Sequence, residues 1–194
     1  MNLTLQEMLN KTNQRQITFQ LMLDHLRRTN NPLIIETGCA RAERHGFDGD
    51  GYSTLIFDKF VNEHGGELRT VDISPESVAW GKSQTSSKAQ FFCEDSVSFL
   101  WKLNKELAES GRYIDLLYLD SFDFEPSNPH PSSFHHVKEL TAIFSRLRPG
   151  TMIAVDDNFG NAENRTGKGK YVEEFMKNIG VPLVYDGYQL LWVL

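Results

Sequence analysis

Short apolar runs alternate along this chain with segments of helical period, and that alternation constrains the fold more than any other feature. Leu33-Ile34-Ile35 is one such run, the kind a strand buried on both faces requires. Tyr52 to Glu63 then reads as a helix stopped by Gly65-Gly66, and Glu67 to Asp72 as a strand. Ser74-Pro75-Glu76 puts a capping serine and a first-turn proline at the head of a helix reaching about Thr85. Strands follow at Gln90 to Cys93, Ile114 to Leu119 and Thr151 to Val155, and helices at Ser96 to Leu107, Ser132 to Leu147 and Lys168 to Asn178. The last two strands, Val181 to Tyr185 and Tyr188 to Val193, are joined only by Asp186-Gly187, a two-residue hairpin signal. The pattern predicts an α/β fold: a doubly wound, mostly parallel sheet of seven strands, closed by an antiparallel hairpin.

Acids stand at the carboxyl ends of these strands. Glu36 ends the first, Asp72 the second, Asp95 follows the third, Asp120 ends the fourth, and Asp156 and Asp157 end the fifth. Ligands of open α/β sheets bind beyond those ends. A phosphate-bearing cofactor would meet glycines and a helix N-terminus at the first loop, and Glu36 would repel it. A ligand carrying an ammonium and a sulfonium, as S-adenosylmethionine (SAM) does, is better suited. Asp72 is placed to accept hydrogen bonds from ribose hydroxyls.

Several motifs carry a family resemblance. Ile35-Glu36-Thr37-Gly38 followed by Gly51-Tyr52-Ser53-Thr54 resembles the first motif of class I SAM-dependent methyltransferases. Val71-Asp72-Ile73-Ser74 is similar to the second, Cys93-Glu94-Asp95-Ser96 to the third and Leu119-Asp120-Ser121 to the fourth. Leu147-Arg148-Pro149-Gly150-Thr151 leading to Asp156-Asp157-Asn158 resembles the fifth. The resemblance spans residues 32–194 and implies a Rossmann-like methyltransferase core, with residues 1–31 as a helical extension of one domain. It implies SAM held by Glu36, Thr37, Gly38, Ser53, Asp72, Ile73 and Asp120, with Asp95 and Ser96 at the adenine. The opening is also similar to a family named for cephalosporin hydroxylation, and a protein of this fold can bind SAM without catalysing transfer.

The pairing of Asp120 with Asp157 and Asn158 resembles metal-dependent O-methyltransferases of the catechol type, and sugar-type relatives would recruit Asp156. That resemblance implies an all-oxygen divalent site, such as Mg²⁺, activating a hydroxyl of a small-molecule acceptor. The catechol enzymes carry a lysine shortly after the fourth-strand acid, where this chain reads Asp120-Ser121-Phe122-Asp123. Asp123 is the candidate base, and His135 a second candidate catalytic group. An exposed or helix-capping role is the alternative for His135 and its neighbour His136. Residues 122–134 and 160–169 read as substrate-side loops, in which Arg165, Lys168 and Lys170 either meet an anionic substrate or form a solvated basic turn.

Between Gly38 and Gly51 the chain is longer than the family's usual glycine loop. The extra length is either a tolerated insertion or a lid bringing Arg41, Arg44 or His45 to the ligand. Asp48-Gly49-Asp50-Gly51 lacks the spacing of a calcium loop. A net charge of -6 with no basic stripe argues against nucleic acid, and no apolar run is long enough to span a bilayer. Cys39 and Cys93 lack ligand spacing and read as small buried thiols. No signal-peptide pattern opens the chain, so a cytoplasmic location is expected. The segment Leu5 to Arg28, with Ile17, Leu21, Leu23 and Leu26, reads as one or two amphipathic helices that cover the site or build a homodimer.

Overall fold

The computed structural model describes residues 3–42 and 46–194. Strand β1 (Leu33–Thr37) lies inside the sheet and is buried along its whole length. Strands β2 (Glu67–Asp72) and β3 (Ala89–Cys93) extend the sheet to one side, and β4 (Leu116–Leu119) and β5 (Met152–Val155) to the other, all in parallel. Ile34 therefore sits between Leu68 and Leu116. A separate ribbon of β6 (Asn158–Phe159) and β7 (Thr166–Gly167) follows, which the sequence patterning did not signal. Strands β8 (Leu183–Tyr185) and β9 (Leu190–Val193) form the expected antiparallel hairpin, but the connection spans residues 186–189 with a register shift in β8, so Tyr188 lies in the turn and not in the strand. The order is β3-β2-β1-β4-β5-β9-β8, a seven-stranded sheet in which only β9 opposes its neighbours.

Alternate residues of each strand face opposite layers. Ile34, Leu68, Leu116, Tyr118 and Ala154 pack on one core, with α1 (Leu5–Leu9), α2 (Gln16–Leu26), the single turn α3 (Gly46–Gly49) and α4 (Ser53–His64). α5 (Pro75–Gln84), N-capped by Ser74, adds Trp80 to its edge. Ile35, Val71, Leu117, Leu119, Ile153 and Val155 face the other core, under α6 (Ser96–Glu109), α7 (His130–Ile143) and α8 (Lys170–Asn178). Pro at the start of α7 and the Ser74-Pro75 pair at α5 act as the local rules predict.

The N-terminal helices cover the sheet with a face that includes only two of the four apolar residues the sequence singles out, Leu23 and Leu26. Phe19, Met22, Leu23 and Leu26 are fully buried, following the i, i+3, i+4, i+7 stripe. Ile17 and Leu21 lie on the opposite, exposed side. The reading of both cysteines as buried is also corrected: Cys93 ends the outermost strand and is exposed, while Cys39 is half-buried. Among the described residues no helix is long and apolar enough to cross a membrane.

Candidate active site at the carboxyl ends of the strands

The chain leaves β1 through Gly38, whose φ of +79° an L side chain rarely adopts. A Cβ there would lie 2.4 Å from the Asp120 carbonyl oxygen, so the turn after β1 is pressed directly on the end of β4. The Gly38 N–H donates to the Val71 carbonyl at 2.8 Å. Asp72 then ties two loops together: its carboxylate accepts from the N–H of Cys39 at 3.0 Å and of Ser74 at 2.8 Å. Above these turns opens a cavity of about 680 Å³, lined by Gly38 to Ala42, Ser53, Ile73, Ser77 and Ser121. Its acidic and basic lining consists of Asp50, Asp72, Glu76, Asp120 and Asp123 against Arg41 alone, among the described residues. Such a wall attracts a cationic ligand and repels phosphate.

Of the residues expected at the cofactor, Gly38, Ser53, Asp72, Ile73 and Asp120 line this cavity. Glu36 and Thr37 do not. Glu36 is fully buried and its two oxygens accept from the hydroxyls of Ser53 (2.6 Å) and Thr54 (2.7 Å) at the start of α4. Its influence on a ligand therefore passes through α4 and the Thr54 hydroxyl, which also accepts from the Ala40 N–H at 2.8 Å. Asp95 serves as the N-cap of α6, accepting from Ser98 N–H at 2.8 Å, and Ser96 pairs with His135 at 2.9 Å. Neither Asp95 nor Ser96 lines the cavity.

The acids at the ends of β4 and β5 meet two cations of the chain itself. Arg15, in a 3-10 turn (Asn13–Arg15) ahead of α2, donates from Nε to Asp156 at 2.8 Å and from Nη1 to the Gly49 carbonyl at 3.0 Å. Its guanidinium lies 4.5 Å from the Tyr188 ring centroid. Asp156 also accepts from the Tyr118 hydroxyl at 2.9 Å. Lys168 is fully buried and its ammonium bridges Asp120 and Asp157, the latter at 2.9 Å. Burial alone would push Lys168 down, but Asp120, Asp157 and Asp156 outweigh it and hold the ammonium above the usual lysine range. Asp157 adopts a left-handed φ of 53°, which aspartate tolerates and which turns its carboxylate back toward Lys168. Asn158 is spent on backbone: its amide donates to the Val155 and Asp156 carbonyls, and its oxygen accepts from the Gly169 N–H at 2.7 Å.

The residues expected to bind a divalent ion are thus engaged internally, and the donor set as it stands does not fit one. Asp120 and Asp157 hold Lys168, Asp156 holds Arg15, and Asn158 closes a turn. No grouping of metal-ligating acids, histidines and cysteines occurs among the described residues.

Asp123 stands on the cavity rim, where its carboxylate pairs with Arg41 at 3.1 and 3.3 Å. The pair joins the enlarged loop after β1 to the loop after β4. Arg44 and His45, the other lid candidates, lie outside the described residues. His135 and His136 are neither exposed nor capping, contrary to the sequence-based alternative. His135 packs beside Phe122 and lies 3.4 Å from the buried Glu139, which also accepts from Ser121 at 2.6 Å. His136 is fully buried, with Nδ1 2.7 Å from the Ser132 carbonyl. The reading of Arg165 and Lys168 as a solvated or substrate-facing basic pair is likewise corrected. Arg165 is paired with Glu173 and Asp186, and Lys168 lies beneath the site.

Two buried groups give opposite pH dependences. Burial pushes Glu36 up from 4.5 to about 7, against the pull of the Ser53 and Thr54 hydroxyls. The native state then keeps a proton that the unfolded chain releases, so this contribution is present below pH 4.5 and is lost as pH rises through 7. Burial pushes His136 down from 6.5 to about 4. The unfolded chain protonates first there, so that contribution is present above pH 6.5 and is lost as pH falls through 4. Each slope reaches about 1.4 kcal/mol per pH unit, and they cancel where the windows overlap. Urea unfolding should show Glu36→Gln gaining stability with rising pH relative to the unsubstituted protein, and His136→Gln losing it. Slopes of the same sign in both variants would refute the pairing.

Arg15, which neutralises Asp156 beneath the site, is the residue that the sequence hides most completely, since it lies 141 positions from Asp156 in a segment read only as helical. No protein-family model and no curated protein matches the chain. Solved structures do. The calicheamicin methyltransferase CalS11 superimposes with a TM-score of 0.63 at 12% identity, over 94% of this chain and 80% of that one. MycE methyltransferase from mycinamycin biosynthesis, in complex with Mg and S-adenosylhomocysteine (SAH), gives 0.58 at 14% identity over 88% of this chain and 47% of its own. SMU.1697c from Streptococcus mutans, in complex with SAH, gives 0.56 at 13% identity over 89% and 94%. With the sheet order described above, the chain has the Rossmann-like fold of class I SAM-dependent methyltransferases.

Proposed function

We propose that this protein is a SAM-dependent methyltransferase acting on a hydroxyl of a small molecule. The observation that carries this reading is the acid-walled cavity at the switch between β1 and β4, floored by Gly38 and flanked by Asp72. Its volume falls in the range of cofactor-sized pockets. When bound, SAM supplies an electrophilic methyl group on a sulfonium, for in-line transfer to the acceptor oxygen. Asp72 is positioned to take the ribose hydroxyls, Ile73 to lie along the adenine, and the backbone from Gly38 to Ala40 to line the methionine end. Asp72 and Glu76, which pair with no cation of the chain among the described residues, favour the positive charge of the cofactor.

A hydroxyl acceptor is supported by similar structures, one of which is of CalS11 as a TDP-rhamnose 3'-O-methyltransferase. Asp123 is the group we assign to take the acceptor's proton. Its oxygens are held by Arg41, so the loop pair must part as the acceptor enters. His135 is a positioning residue, holding the Phe122 loop against α6 through Ser96. The acidic chain and acidic cavity favour a small molecule over nucleic acid.

Calorimetric titration with SAM and SAH tests the reading. Asp72→Ala should weaken SAM binding by roughly 10- to 100-fold, the size of a lost charge-assisted hydrogen-bond set. Affinity unchanged in that variant would remove the site from this cavity. An unsubstituted protein that binds neither SAM nor SAH would end the methyltransferase proposal. Binding without methyl transfer to any sugar or diol of a broad panel would favour a non-catalytic SAM-binding role.

A further inference from the structure

We infer that the buried ammonium of Lys168 takes the place that a divalent cation would occupy between the β4 and β5 acids, making this site one that excludes metal by construction. The ammonium has three oxygens around it: a carboxylate oxygen of Asp120, the Asp120 carbonyl at 3.4 Å and a carboxylate oxygen of Asp157 at 2.9 Å. An ammonium has three protons to donate, so this shell matches it in number. A magnesium-sized ion would need about six oxygens near 2.1 Å, and the remaining candidates are committed. Asp156 is closed off by Arg15, Tyr118 and the N–H of Asp157. The oxygen of Asn158 receives the Gly169 N–H.

The backbone holds Lys168 there. Its N–H donates to the Asp157 carbonyl at 3.1 Å, and β6 and β7 pair just outside, so the lysine is fixed by the ribbon that follows the acids. Gly167 makes that approach possible, because a Cβ at its φ of +110° would lie 2.2 Å from the Asp157 carbonyl oxygen. The side chain is 1% exposed, so it serves the site from below and does not reach outward to an acceptor. It is a positioning residue: it fixes the Asp120 carboxylate at the cavity wall and supplies one positive charge where an ion would supply two.

Manganese titration of the protein tests this without cofactor or acceptor, so its failure is distinguishable from failure of the methyltransferase reading. The unsubstituted protein should show no saturable Mn²⁺ binding below millimolar concentration by calorimetry or by electron paramagnetic resonance. Lys168→Ala should gain one site with a dissociation constant on the order of 0.1 mM, and adding Asp157→Asn should abolish it. Lys168→Met, closer to lysine in length, serves if the alanine variant does not fold as judged by circular dichroism. Saturable Mn²⁺ binding by the unsubstituted protein that Asp157→Asn removes would overturn the inference. So would a folded Lys168 variant that binds no Mn²⁺.

Discussion

Arg15→Met is expected to destabilise the protein by about 3–5 kcal/mol, the range for removing one partner of a buried ion pair. The side chains of Arg15 and Asp156 are 4% and 0% exposed. Without the guanidinium, Asp156 keeps only the Tyr118 hydroxyl and the Asp157 N–H as donors, and its charge loses its counterion in a setting that water does not reach. The damage extends further, because Arg15 also holds the Gly49 carbonyl and stacks on Tyr188. Tyr118 in turn accepts from Gln189 at 2.7 Å, so the N-terminal turn, the enlarged loop, β4 and the closing hairpin share one network. For a chain of this size, calorimetry should record a fall in Tm of roughly 10 °C. Adding Asp156→Leu to the same protein should recover much of the loss, since an apolar pair leaves no buried charge behind. A single-variant loss below about 1 kcal/mol would mean that the pair is not buried in solution.

Gly38→Ala should reduce SAH affinity by at least about 100-fold, equivalent to about 2.7 kcal/mol. Two separate costs act at this position. Left-handed backbone is unfavourable for alanine by roughly 1–2 kcal/mol, and the new methyl would collide with the Asp120 backbone at 2.4 Å. The second cannot be relieved by a side-chain rotation. Relief requires the β1 and β4 turns to separate, which moves Cys39 away from Asp72 and reshapes the cavity floor. Gly150→Ala provides the control. Gly150 has a φ of +95° but open space where its Cβ would be, so that variant bears the backbone strain without the collision. It should lose some stability and keep its SAH affinity. Equal losses of affinity in both variants would show that global destabilisation, and not the contact with Asp120, is responsible.

Much of the fold was legible in the sequence because the signals are local. The turn residues Asp186-Gly187 signal an antiparallel pair and the hairpin of β8 and β9 is there, although its connection takes residues 186–189 and not two residues alone. Ser74-Pro75 opens α5 through contacts within one turn. The acids Asp72 and Asp120 reach the cavity because strand ends in a doubly wound sheet converge there whatever else the chain does. The N-terminal helix was legible as a helix but not in its orientation. Ile17 and Leu21 are as apolar as Phe19 and Met22, and only packing against the sheet decides which pair is buried.

The acids themselves show where sequence stops. Asp156, Asp157 and Asn158 read alike as ligands, since residue type and spacing are all that a sequence shows. Their chemistry depends on what shares their space. Lys168 comes from 48 positions beyond Asp120 and Arg15 from 141 positions before Asp156, joined to them by no local rule. The sequence by itself determined the order of strands and helices, the closing hairpin and the line of acids at the strand ends, because these rest on periodicity and turn chemistry over a few residues. Only the tertiary structure decided which acids face the cavity and which are neutralised beneath it. A buried carboxylate takes its character from the nearest opposite charge, and that neighbour is fixed by folding, not by distance along the chain.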